Sequence, residues 1–124
     1  MPTATLLPQR ANSTGSPVAP LAYGYMRVPD GLPDRKVYSL EQAVIRYAHD
    51  LGLHFVRFFF EFHCGARDGF EDLITELRRT DARHVVVPSL RHLALNTLLQ
   101  DAMRERLALD TGAQVHAMRS RTAE

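Results

Sequence analysis

Cysteine is all but missing from this sequence of 124 residues: Cys64 stands alone, so no internal disulfide can form. No Cys-x-x-Cys or His-x-x-x-His spacing occurs, and the six histidines are scattered along the chain, which leaves no metal-site pattern. Neither sign of charge is in excess. With 15 basic and 14 acidic residues the net charge is +1, so no bulk field would hold the chain on nucleic acid or on an anionic membrane, and any anion site must be local. Lysine is scarce as well: Lys36 is the only one. In so arginine-biased a chain a single arginine is weak evidence of phosphate recognition. No apolar run approaches the length of a membrane span, and the first 20 residues lack the continuous apolar core of a signal peptide. These absences lead to the expectation of a soluble, cytoplasmic protein with no membrane partner, no metal and no cofactor.

What is present fits one α/β domain. Apolar residues make up 45% and charged residues 23%, close enough to the globular average that the chain as a whole is expected to fold. Residues 1–20 mix Pro, Ser, Thr, Ala and Gly without periodicity and read as a disordered tail. A domain is expected over 21–119, with a short tail at 120–124. "LAYGYMRV" (21–28) is apolar with little alternation, as in a strand covered on both faces. Ser39 with Gln42 has capping-box spacing and predicts a helix start there; Leu40, Ala43, Val44, Tyr47, Ala48 and Leu51 form its inner face, and Gly52 supplies the stop. "LHFVRFFFEF" (53–62) predicts a second strand. Phe70, Leu73, Ile74 and Leu77 mark a second helix, with acids near its start and arginines near its end, the order its dipole favours. "RHVVVP" (83–88) predicts a third strand, a helix follows from about Thr97 with Leu98, Leu99, Ala102, Met103 and Leu107 inward, and "AQVHAM" (113–118) predicts a fourth strand.

Alternation of strand and helix requires crossovers and a mainly parallel sheet, here of four strands, or five with an added one, between helices on both faces. Ligand sites in such three-layer folds lie at the carboxyl ends of the strands, where strand order switches. Four stretches should meet there: Arg27 to Gly31, Glu61 to Arg67, Pro88 to His92 and Met118 to Arg121. The glycine pattern of a dinucleotide fold and the Gly-Lys-Ser/Thr of a P-loop are both absent, and strand three ends in Pro88-Ser89 without the aspartate of a phosphoacceptor domain. What remains is a set of cations. Arg27 ends strand one, Arg67 lies in the second loop, and Arg91 sits beside His92 in the third; guanidinium forks suit phosphate oxygens, although a solvated loop charge explains Arg67 or Arg91 equally well. Arg27 follows an apolar run on a central strand and needs either a ligand or a partner, an acid such as Glu61.

"YMRVP" (25–29) resembles the Tyr-x-Arg-Val-Ser signature of the serine recombinases, the resolvase and invertase group, whose serine attacks a DNA phosphodiester. "CGARDGFEDLITELR" (64–78) is similar to the family's Ser-Gly…Arg-Pro…Leu segment, with Arg67 at its phosphate-contacting arginine. "VVVPSLRHLALN" (85–96) resembles its strand followed by Leu-Asp-Arg-Leu-x-Arg-Asn, with Arg91 at the aspartate, His92 at the first arginine, Leu95 at the second and Asn96 matching. The likeness runs in order from about residue 21 to 118 and implies a resolvase-like fold and a function tied to DNA strand exchange and DNA binding. Its departures imply a pseudoenzyme. Pro29 stands at the nucleophile and offers neither hydroxyl nor thiol, and two further charged positions are changed. Weak, non-specific contact with the DNA backbone, a homo-oligomer or contact with active recombinase relatives are the partners implied. The resemblance also leads one to expect a dimerisation helix and a helix-turn-helix domain; these 124 residues hold neither, so sequence-specific DNA binding by this chain alone is not expected. The alternative is a small α/β enzyme or phosphate-ligand-binding domain at the same edge, with Cys64 or Ser89 as nucleophile and His63 or His92 as base; Ser89 could equally cap the next turn.

Overall fold

A computed structural model describes residues 19–63 and 66–119. The segments 1–18 and 120–124, read above as parts of tails, and Cys64 lie outside the described residues. Strands β1 (Leu21–Arg27), β2 (His54–Glu61), β3 (His84–Ser89) and β4 (Gln114–Arg119) alternate with helices α1 (Asp34–Asp50), α2 (Asp68–Thr80) and α3 (Thr97–Thr111). Four strands, with no fifth among the described residues, form one sheet in the order β2-β1-β3-β4, and every pairing is parallel. β1 is central, which is why its five inner residues are buried without alternation. The chain leaves β1 toward β2 and returns to β1's other side for β3, so the switch point lies between the carboxyl ends of β1 and β3.

The two faces of the sheet are unequal. Tyr23, Tyr25, Val85 and Val87 face α2 and α3 and join Leu73 and Leu107 in the larger core. On the other face Ala22 and Val86 meet Val44 and Ala48 of α1 in a smaller one. The β2 register slips between Ala22↔Phe55 and Gly24↔Phe58, an extra residue that puts both rings on the α1 face. Gly24 is required opposite the slip, because a Cβ there would stand 2.4 Å from Phe58 Cδ1. Beyond it Phe58, Phe60 and Phe62 stack in succession, with centroids 5.6 and 5.7 Å apart.

Two expectations fail locally. α1 begins at Asp34 and not at Ser39: the Pro33 carbonyl accepts from Lys36 N–H (2.9 Å) and Val37 N–H (3.2 Å), and proline's fixed φ, here −61°, suits a helix entry. Ser39 is simply an exposed residue within the helix. In α3 the buried positions include Met103 and Leu107, with Leu99 partly buried; Leu98 is 82% exposed and Ala102 is exposed too. Asn96 fixes the phase by accepting Leu99 N–H on its side chain at 2.7 Å, and at 3.6 residues per turn Leu98 and Ala102 turn outward. The stop at Gly52 holds, with φ +80°, although Leu51 just before it stays exposed. Among the described residues no helix is long and apolar enough to cross a membrane.

Candidate functional site

A cavity of about 580 Å³ opens at the switch point, lined by residues of three of the four stretches expected there, among them Arg27, Pro29, Arg67, Arg91 and His92. The fourth stretch does not line it; Met118 packs against the α1-side core, and residues 120 and 121 lie outside the described residues. A second concavity, of about 590 Å³, lies between α3 and β4 against Asp101, Arg104 and Gln114, away from the carboxyl ends of the strands and without any of the candidate residues.

Arg27 has found partners, and they are not acidic. Its Nη1 donates to the Ala66 carbonyl (3.0 Å) and its Nη2 to the Leu93 carbonyl (3.1 Å), so one guanidinium ties together the loops that follow β2 and β3. Its backbone N–H donates to His92 Nδ1 at 3.0 Å. That bond makes Nδ1 the acceptor and leaves the proton of a neutral ring on Nε2. Burial, then the Arg27 and Arg119 charges, lower His92 to a pKa of about 4, so the ring is neutral at pH 7.

Glu61, at the end of β2, is 3% exposed yet lines the same cavity. Its Oε2 accepts from Tyr25 O–H and from Phe70 N–H, each at 2.8 Å, the second being an unpaired donor of the first turn of α2. The contact depends on Gly69, where a Cβ would stand 2.3 Å from the Phe60 carbonyl oxygen; only glycine lets the helix start come this close to β2. Burial, followed by the Glu61 hydrogen bond, pushes the Tyr25 phenol well up from its ordinary value, so it is a donor at any ordinary pH.

The lip of the cavity is different. Arg67 precedes α2, and its carbonyl accepts Glu71 N–H at 3.0 Å, while its side chain is exposed; Arg91 is exposed in the 3₁₀ turn Leu90–His92. Among the described residues neither guanidinium takes part in an ion pair. Pro29 opens a turn whose carbonyl accepts Leu32 N–H at 3.3 Å, with Gly31 at φ +83°. His63 also lines the cavity. Ser89 does not, and its side chain makes no cap bond to the turn that follows; the hydroxyl is therefore not placed as a cavity nucleophile, and the His92 nitrogen that would serve as its base accepts the Arg27 N–H. Cys64 lies outside the described residues.

No family model matches the chain, and no curated protein sequence matches it. Solved structures do. The C-terminal catalytic domain of ISC1926 TnpA, an IS607-like serine recombinase, superposes with a TM-score of 0.65 at 17% identity, covering 83% of this chain and 72% of that one. The fold is that of a serine recombinase catalytic domain. The N-terminal catalytic domain of TP901-1 integrase gives a TM-score of 0.63 at 14% identity over 79% of this chain and 76% of its own. The three-layer α/β class and the recombinase likeness expected from the sequence are thus both found. This fold brings Arg27, Arg67, Arg91, His92 and Pro29 to one cavity.

Other features of the site were missed. Glu61 stands in the sequence as a strand-end residue and a possible acid for Arg27, and its burial is not legible there because it depends on Gly69 letting the start of α2 come close to β2. The exposed apolar side chains of the lip, Phe62 and Leu95, were counted as strand and motif positions. Away from the cavity, His84 Nδ1 and His116 Nε2 meet at 3.0 Å across β3 and β4, two of the histidines that sequence spacing kept apart; among the described residues no group of three or more potential ligands gathers around a metal position.

Proposed function

We propose that the chain is a non-cleaving, recombinase-like domain that grips the nucleic-acid backbone weakly through Arg67 and Arg91, and acts by contact, with DNA, with itself or with active recombinase relatives, instead of by strand exchange. The observation that carries this reading is the lip of the cavity: a proline beside two exposed guanidinium groups. A pyrrolidine ring whose nitrogen is tied up in a tertiary amide offers no nucleophilic lone pair to attack phosphorus and no proton to lose. The remaining cations suit phosphate oxygens, and with a net charge of +1 only such a local site could attract them. Arg27 fits the same reading, since each of its two Nη groups already donates to a loop carbonyl and so contributes to holding the loops.

The test is incubation with supercoiled plasmid followed by denaturing electrophoresis. No covalent protein–DNA adduct and no nicked product are expected; either one, dependent on this polypeptide, would overturn the reading. Backbone contact is tested by fluorescence anisotropy at rising salt. Each phosphate held should contribute about −0.9 to the slope of log affinity against log salt, and Arg67→Ala or Arg91→Ala should each remove roughly one such contact.

A further inference from the structure

The cavity is a poor fit for phosphate alone. Its buried lining acid, Glu61, is satisfied by Tyr25 and Phe70, and a carboxylate held there offsets the attraction that the Arg27 guanidinium, engaged with loop carbonyls on the same floor, would offer an anion entering deeply. The cations without an ion pair among the described residues, Arg67 and Arg91, are exposed at the lip. Beside them the lip is apolar: Phe62 is 57% exposed and Leu95 76% exposed, and both line the space. Phe62 does not hang loose, because its ring stacks on Phe60 at an interplanar angle of 24°. An aromatic ring fixed by a neighbour, beside arginines, is the arrangement with which proteins hold unpaired bases by stacking while cations follow the backbone.

We infer that the cavity takes an unpaired nucleotide of a single-stranded polynucleotide, with its base against Phe62 and Leu95 and its phosphate on Arg67 and Arg91. The inference rests on the phosphate-gripping reading above and names the form of nucleic acid preferred. A volume of about 580 Å³ lies within the roughly 300–1,000 Å³ of small-ligand sites and admits one nucleotide, whereas a paired base has its face covered by its neighbours in the stack and cannot enter. An uncharged base can approach Glu61 without the repulsion that a phosphate meets.

The test measures anisotropy of a short labelled oligothymidylate, an oligouridylate of equal length and a duplex of the same length, all at low salt. Single strands should bind more tightly than the duplex, and Phe62→Ala should weaken them roughly five- to twentyfold while leaving duplex affinity unchanged. The two single strands separate DNA from RNA as the source; tight binding of either supports the site. The sequence contains no tryptophan, so Phe62→Trp places a lone indole there, and its emission, excited selectively over that of the tyrosines, should be quenched by the oligonucleotide. Duplex binding equal to or tighter than single-strand binding, or an unchanged affinity in Phe62→Ala, overturns this inference and leaves the backbone-gripping reading intact. Failure of every nucleic acid to bind overturns both. Loss of self-association in Phe62→Ala, seen by sedimentation with polynucleotide binding unaltered, would reassign the surface to protein contact and likewise overturn it.

Discussion

The floor and the lip of the cavity are built on opposite principles. On the floor Tyr25, Glu61, the Phe70 N–H, the Arg27 guanidinium and His92 Nδ1 all have partners within 3.1 Å. At the lip Arg67, Arg91, Phe62 and Leu95 are exposed. Groups already satisfied by the protein contribute to stability and have little left for a ligand, whereas exposed groups contribute little to stability and remain available. The difference separates the motif residues of one sequence into two kinds: those that hold the scaffold and those that could still touch something.

Substitutions can break this comparison. The largest effect is expected from Gly69→Val, which forces α2 away from the Phe60 carbonyl and should destabilise the fold by roughly 3–5 kcal/mol in urea unfolding. Glu61→Ala should cost about 3 kcal/mol, because a buried phenol and a helix N–H lose their acceptor; Glu61→Gln, which can still accept from both, should recover more than half of it. A smaller loss, roughly 2 kcal/mol, is expected for Arg27→Ala, with the duplex affinity of the folded protein little changed. A large drop in that affinity without loss of stability would place Arg27 with the lip instead.

A pH titration sharpens the same contrast. The folded state holds His92 at about 4 against an ordinary 6.5, so between these values the unfolded chain binds more protons. Stability therefore falls as pH drops from about 6.5 to about 4, by on the order of 3 kcal/mol. The melting temperature of His92→Gln should vary less across that window than that of the unaltered protein. The smallest change in stability, within about 0.5 kcal/mol, is expected for the Arg67→Ala, Arg91→Ala double variant, the one substitution of this series that should abolish the salt-dependent grip on DNA.

Whether a feature could be read in advance depended on where its cause lies along the chain. The strands were legible because apolar β-branched and aromatic runs are local, and the central place of β1 followed from its lack of alternation. The turn at Pro29 was legible from Pro-Asp-Gly, as was the stop at Gly52. The start of α1 was missed because the Pro33 carbonyl provides its first acceptor, so the Ser39–Gln42 spacing imitates a cap without serving as one. Leu98 was assigned inward since α3 carries apolar residues on more than one side, and the phase set by Asn96 decides among them. In the site, the convergence of Arg27, Arg67, Arg91 and His92 followed from strand order alone. Their division into floor and lip did not, because it rests on contacts such as Ala66 and Leu93 with Arg27, separated by 39 and 66 positions, that only folding brings about.

The carbonyl-bound arginine of β1 bears on how relatives of this fold should be compared. A side chain that fastens two main-chain loops serves the shape of the domain whether or not the domain reacts. An arginine at that position is therefore a sign of the scaffold; a sign of chemistry has to be sought in the residues that owe nothing to the shape.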